Sequence, residues 1–208
     1  MVVPSVVDLT ELRRRLAAPG RLETVYGDDG AGRAEAAVTP ASVLVPLVAH
    51  ADGLTVLFTR RTAHLKAHSG QVSFPGGRAE PADPSPEYTA LREAQEEIGL
   101  PMGKVEVLAR LPEYLTRTGF RVTPIVGVIT PPLELVPDAR EVDEVFEVPL
   151  AFLLDPANHR RESRTIGDRV ASYYVIEHRG RVIWGATAGM LLTFYRSLAA
   201  AASAPPGG

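Results

Sequence analysis

Apolar and polar positions along this chain repeat with two different periods, and the changes of period mark its elements. Ala41 to Ala49 (ASVLVPLVA) is almost continuously apolar and reads as a buried strand, with Pro46 inside it pointing to a bulge or an edge position. Asp52-Gly53 is a two-residue turn signal, and Leu54 to Arg60 (LTVLFTR) follows as the hairpin partner. Pro86 to Ile98 is the clearest helix: Leu91, Ala94 and Ile98 form a stripe at i, i+3 and i+7, charge fills the other face, and Gly99 and Pro101 stop it. Asp8 to Ala17 predicts a short amphipathic helix ended by Pro19-Gly20. Ala186 to Ala199 predicts a final helix with Met190, Leu191, Phe194 and Leu198 on one side. Between them, Val105 to Leu111, Arg121 to Thr130 and Val142 to Val148 are short β-rich segments, and Arg169 to His178 with Arg181 to Trp184 forms a closing hairpin around Arg179-Gly180. Gly27 to Arg33 reads as a polar loop, and Ala200 to Gly208, rich in Ala, Pro and Gly, as a disordered tail.

Composition narrows the class. With 208 residues, 45% hydrophobic and 23% charged, the chain suits one soluble globular domain. Its net charge of −3 carries no basic surplus for nucleic acid or an anionic membrane, so neither is an expected partner. The absence of cysteine excludes disulfides, thiolate metal sites and a cysteine nucleophile. No apolar run is long enough to span a membrane and no leader pattern opens the chain, so the cytoplasm is the expected location.

Chemistry concentrates between Phe74 and Leu100 (FPGGRAEPADPSPEYTALREAQEEIGL). Glu93, Glu96 and Glu97 fall at i, i+3 and i+4 and project from one arc of the helix, opposite its apolar stripe. Like charges at this spacing destabilise a helix by about 0.2 to 0.5 kcal/mol per pair, and Arg92 offsets only part of that. Such a face is either a solvated surface or a seat for a hard divalent cation, Mg²⁺ or Mn²⁺, which takes oxygen ligands and shares substrate phosphates. The preceding Pro75-Gly76-Gly77 turn lets the backbone approach an anion or a metal closely.

Together these elements resemble the signature of the Nudix hydrolases, G-x5-E-x7-R-E-U-x-E-E-x-G-U with U aliphatic. Gly77, Arg92, Glu93, Ala94, Glu96, Glu97, Gly99 and Leu100 match it. The chain departs at the first acidic position, where Asp83 stands for Glu and eight residues separate it from Arg92. Upstream, Leu57 to Gly77 (LFTRRTAHLKAHSGQVSFPGG) is similar to the extension of the coenzyme A pyrophosphatase branch, L-L-T-x-R-[S/A]-x3-R-x3-G-x3-F-P-G-G. Leu57, Thr59, Arg61, Gly70, Phe74, Pro75, Gly76 and Gly77 match, while Phe58, Thr62 and Lys66 are substitutions of similar character.

The resemblance implies an α/β/α Nudix fold, a mixed β-sheet between helices. The Nudix hydrolase domain would span residues 41–199, with residues 1–40 as an N-terminal helix and loop packed on it and residues 200–208 as the tail. It implies Mg²⁺ or Mn²⁺ held by Glu93, Glu96 and Glu97, and catalysis by Glu96 and Glu97. One further carboxylate comes from a distant loop, for which Glu144 in the segment REVDEVFEVPL is the candidate over Glu141 and Glu147. Arg60, Arg61 and Lys66 would meet substrate phosphates, with Gly76 and Gly77 at the turn. His64 and His68 lack the third ligand of a metal site. Phe74 either stacks on a base or packs beneath the glycine turn, the latter being preferred. The segment from Tyr114 to Gly119 could border the cleft.

The implied reaction is hydrolysis of the phosphoanhydride of coenzyme A or acyl-coenzyme A to 3′,5′-ADP and 4′-phosphopantetheine or its acyl form. Two alternatives use the same helix: a Nudix pyrophosphatase acting on ADP-ribose, NADH or nucleoside triphosphates, and a nucleotide sensor without turnover. Loss of the helix carboxylates would favour the sensor, and this chain keeps them.

Overall fold

The computed structural model describes residues 8–17, 25–26, 38–63, 70–166 and 169–203. The polar loop at residues 27–33, His64, Lys66 and His68, and residues 204–208 of the expected tail lie outside the described residues. In chain order the elements are α1 (Leu9–Ala17), β1 (Val25–Tyr26), β2 (Thr39–His50), β3 (Gly53–Arg61), β4 (Val72–Ser73), β5 (Gly76–Arg78) and α2 (Pro86–Ile98). There follow β6 (Val105–Arg110), β7 (Tyr114–Leu115), β8 (Phe120–Ile129), β9 (Val142–Pro149), α3 (Leu150–Leu154), β10 (Arg160–Ile166), β11 (Arg169–His178), β12 (Arg181–Trp184) and α4 (Gly185–Ser203).

Strands β1 to β9 form one mixed sheet. Its path is β1-β7-β8-β2-β3-β4, with β5 added to β2, β6 to β8 and β9 to β3. The two longest strands, β2 and β8, run parallel at its centre, from Thr39 opposite Phe120 to Val48 opposite Ile129. Because successive strand residues point to opposite faces, these strands build two cores at once. Leu44, Val48, Leu57, Ile125 and Ile129 pack under Ala90, Ala94 and Ile98 of α2. Val45, Leu47, Val56, Phe58, Val126 and Val128 face the other way, against Leu12 and Leu16 of α1, Leu150 and Leu153, and Phe194 and Leu198 of α4. Helix α1 is fixed to α4 through buried Arg15, which donates to the Leu198 carbonyl while pairing with Glu11.

Pro46 sits in this central strand and not at an edge. Its neighbour on one side is β8, where it faces Gly127. On the other side β2 changes partner: Ala41 to Val43 pair with β5, and Leu47 to His50 pair with β3. Leu44 still donates to Pro75 O at 2.9 Å. Two residues on, where a further N–H would point the same way, proline falls in the gap between the two partners and no ladder bond is lost.

A second sheet, β10-β11-β12, is antiparallel and lies against α4. The hairpin around Arg179-Gly180 is present, both residues having positive φ (50° and 76°), as a tight two-residue turn requires. Strand β10, polar in all but its last residue (RRESRTI), was not expected from the pattern. Helix α4 continues to Ser203. The expected tail therefore begins at least four residues too early, because four alanines in the run to Ser203 extend a helix readily. Among the described residues no helix is long and apolar enough to cross a membrane.

Helix α2, which carries the glutamates, has defined ends. Ser85 Oγ accepts from Tyr88 N–H at 3.2 Å, Pro86 occupies the first turn, and Gly99 closes the helix at φ 69°, donating to Gln95 O. A Cβ on Gly99 would also come within 2.9 Å of Val136 N, which donates to Ile98 O. Gly99→Ala should therefore cost about 2 kcal/mol, combining left-handed strain with displacement of the Val136 segment. A urea titration should show a lowered midpoint at constant slope; an unchanged midpoint would contradict this account of the helix end.

Candidate active site

Helix α2 turns two of its glutamates toward the β5 backbone. Glu97 is buried, at 6% exposure, and its Oε2 accepts from Gly76 N–H at 3.2 Å. Burial pushes its pKa up to about 7, against the opposing pull of that N–H and of Arg61, with Glu93 and Glu141 raising it further. Glu93 is half-buried and shifts upward for the same leading reason, with Glu96 and Glu141 adding to the rise. Gly77 explains itself here: a Cβ would lie 2.5 Å from Glu93 Oε2, so any side chain at this turn would displace the carboxylate.

The loop between β5 and α2 is tied down by Asp83. Its carboxylate accepts from Arg92 Nε and Nη2 at 3.1 and 3.0 Å, from Thr89 Oγ1 at 2.9 Å and from Glu80 N–H at 2.9 Å. Arg92 also donates to the Arg78 carbonyl and pairs with Glu93 and Glu96. The shorter acid at this position and the extra residue before Arg92 thus still close a two-pronged clamp. Glu96 is the outlying glutamate: its side chain is 59% exposed and held by Arg92 alone, so of the three it stands least well for a buried ligand role.

Arg61 and Arg60 point to different partners. Arg61 reaches Glu97 Oε1 at 3.5 Å and Glu141 at 3.9 Å. Arg60 instead pairs with Asp143 at 2.8 Å and Glu144 at 3.1 Å and does not line the cleft described below, contrary to the expectation for it. Glu144, the expected distant carboxylate, is committed to Arg60 and to Arg181, whose guanidinium lies 4.7 Å from the Phe146 ring centre. The carboxylate of this segment that acts on Glu93 and Glu97 is Glu141. The switch arises from a register shift in the β3–β9 ladder, where Arg60 faces Glu144 but Arg61 faces Val142.

Beside this cluster opens a cavity of about 800 Å³. Its walls include Arg61, Gly76, Gly77 and Arg78 on one side, Thr116 to Thr118 with Phe120 on another, and Arg164, Tyr173 and Trp184 from the small sheet. The Tyr114–Gly119 segment does border it. Phe74 is 2% exposed and stacks on Phe58 with centroids 5.1 Å apart, so it packs beneath the turn.

Residues 38–168 match the NUDIX domain family. Over 154 residues the chain is 42% identical to an uncharacterized Nudix hydrolase, NudL, of Photorhabdus laumondii, covering 73% of this chain and 80% of the relative. The chain belongs to the Nudix family. NudL of Pectobacterium atrosepticum is similar at 43% over 156 residues, covering 73% and 78% of the two chains. Among solved structures, the Nudix hydrolase RenU of M. smegmatis aligns with a TM-score of 0.46 at 26% identity, over 54% of this chain and 71% of that one. As a member of that family the chain has a Nudix fold, here a mixed sheet between α2 and the layer of α1, α3 and α4. The protein is a hydrolase of the pyrophosphatase kind, in a family that acts on small nucleotide derivatives with divalent metal ions.

The residues of this Nudix hydrolase suit such an ion. Among the described residues no three His, Cys, Asp or Glu side chains stand together as a finished metal cage. Glu93 and Glu97 are nonetheless hard oxygen donors one turn apart, half-buried and buried respectively and in mutual repulsion, beside a glycine backbone that leaves room. A Mg²⁺-like ion uses one or two carboxylates and fills its other positions with water and substrate phosphate, so this donor set fits it.

The Asp83–Arg92 clamp has a pH signature. Arg92 holds the Asp83 carboxyl well below its usual value of 3.8, helped by the Glu80 amide and Thr89. A carboxylate with a depressed folded pKa stabilises the fold above its unfolded value, and that contribution disappears as pH falls through the folded one. Asp83→Asn should thus melt below wild type at pH 7, and the gap should close progressively below about pH 4. A gap of constant size down to the acid limit of folding would show that the carboxylate's charge is not what holds the loop.

Proposed function

We propose that this Nudix hydrolase uses Mg²⁺ or Mn²⁺ to cut the phosphoanhydride of coenzyme A or an acyl-coenzyme A, giving 3′,5′-ADP and 4′-phosphopantetheine or its acyl form. The observation that carries the reading is the placement of Arg61. Of the residues that match the upstream extension, Thr59 bonds to Ser73, Gly70 takes φ 68° and donates to Arg61 O, and Phe74 stacks on Phe58. These positions build the hairpin, and Arg61 is the charged side chain that the hairpin delivers to Glu97 and the cavity.

Each group then has a task. Glu93 and Glu97 hold the metal, which supplies neutralisation of the pyrophosphate and Lewis-acid polarisation when bound. Arg61 takes charge from the phosphate oxygens next to Glu97. Gly77 keeps the carboxylates' approach open. Glu141 replaces Glu144 as the carboxylate that orients the attacking water and accepts its proton, because it shares Arg61 with Glu97 while Glu144 is paired with Arg60 and Arg181. Glu96 supports Arg92, and Lys66 keeps its proposed phosphate contact on the strength of the resemblance. The substrate is a diffusible small molecule and the setting cytoplasmic, without a nucleic-acid or membrane partner.

Product analysis on coenzyme A, dephospho-coenzyme A, ADP-ribose and NADH with Mg²⁺ tests the substrate. Coenzyme A should have the highest kcat/KM and yield 3′,5′-ADP; faster cleavage of ADP-ribose or NADH would overturn the reading. On the best substrate, Glu97→Gln should lower kcat by roughly 10²-fold or more with the fold intact, since it removes charge but keeps size. Turnover at the wild-type rate would remove Glu97 from the metal set.

A further inference from the structure

The small sheet has two unlike faces. Ile176 and Ile183, paired across β11 and β12, are fully buried in the core beneath α4. On the opposite face, ladder pairing sets Glu162 beside Tyr173 and Trp184 beside Val175, so Glu162, Arg164, Tyr173 and Trp184 share one side of the sheet, and the last three line the cavity. Tyr173 and Trp184 meet edge to face with centroids 5.8 Å apart, and the Tyr173 hydroxyl donates to Glu162 at 3.3 Å. Trp184 nevertheless stays 39% exposed, an apolar ring presented to a cleft that the core does not fill.

Charge points the same way. Most arginines around the sheet are matched to carboxylates, Arg60, Arg61, Arg92, Arg110 and Arg181 among them. Arg78 and Arg164, which both line the cavity, have no carboxylate partner among the described residues. Arg78 directly follows the Gly76-Gly77 turn and stands over Phe120. Arg164 lies on the small sheet with the aromatic pair, separate from the glutamate cluster. A flat ring face with a second, unmatched cation suits a heteroaromatic base carrying a phosphate other than the scissile ones; an uncharged acyl arm needs no such cation.

We propose that Trp184, buttressed by Tyr173, is the stacking wall for the base of the substrate's nucleotide half, and that Arg164 binds the phosphate on that half which is not cleaved. The proposal deepens the coenzyme A reading and rests on it for the identity of that phosphate. It makes the small sheet, which the signature helix does not include, the determinant of which nucleotide enters.

Trp184 is the protein's single tryptophan, so its emission reports on this wall directly. The full-length protein in chelator, excited at 295 nm, is titrated with 3′,5′-ADP, 5′-AMP and 4′-phosphopantetheine. Both nucleotides should quench the emission saturably, with 4′-phosphopantetheine leaving it unchanged. Arg164→Ala should weaken 3′,5′-ADP roughly 10-fold and 5′-AMP by less than about twofold. In turnover, Trp184→Ala should raise KM roughly 10-fold with little change in kcat, and Trp184→Phe should recover most of the loss. Quenching by 4′-phosphopantetheine and by neither nucleotide overturns the proposal, as does an unaltered KM in Trp184→Ala. Equal weakening of both nucleotides by Arg164→Ala removes Arg164 from it. An enzyme that prefers ADP-ribose to coenzyme A yet is quenched by 5′-AMP keeps the base wall and overturns only the coenzyme A reading.

Discussion

Two carboxylates, Glu93 and Glu97, are held one helical turn apart against the backbone of a glycine pair, and most of the surrounding structure answers to that constraint. Isolated, they would swing into water. Here the Gly76 amide, Arg61 and Arg92 hold them at the sheet, and Glu141, which also pairs with Arg61, adds a third negative charge nearby. The arrangement is electrostatically unfavourable as it stands, since burial and like charge both raise the carboxylates' affinity for protons. A fold that maintains such repulsion provides a place where a divalent cation gains more than on any ordinary acidic surface.

The supports for this constraint come from different layers. Asp83 ties Arg92 and the loop, so the glycine turn keeps its position relative to the helix. Gly99 and Ser85 fix where α2 stops and starts. The apolar stripe of α2 locks its rotation on Leu44, Val48 and Ile125, and that rotation decides which glutamates face inward. Changing the stripe would therefore alter chemistry as well as stability, because position on a helix is shared by all its faces.

Much of this was legible in the residues. The period of α2, its closing glycine, and the i, i+4 spacing of Glu93 and Glu97 depend on local rules, and they read correctly. The separation of Arg60 from Arg61 was not legible, because it depends on the register shift that falls between them. That Glu141, and not Glu144, bears electrostatically on the helix glutamates was not legible: it depends on a register shift between two strands more than eighty residues apart. Strand β10 was hidden because its first six residues are polar on both faces, and without it nothing connected Arg164 to Trp184. Tertiary pairing, which no single segment encodes, placed these groups.

The central claim is that repulsion among Glu93, Glu97 and Glu141 is relieved by a bound divalent cation. Its most direct measurement is the melting temperature of wild type and Glu97→Gln, in chelator and across a Mn²⁺ titration. Mn²⁺ should raise the wild-type Tm saturably by several degrees, as ligand binding to the folded state requires. Glu97→Gln should melt at or above wild type in chelator, having lost a buried charge, and should lose most of the Mn²⁺ response. A wild-type Tm indifferent to Mn²⁺, or an undiminished response in Glu97→Gln, would contradict the account.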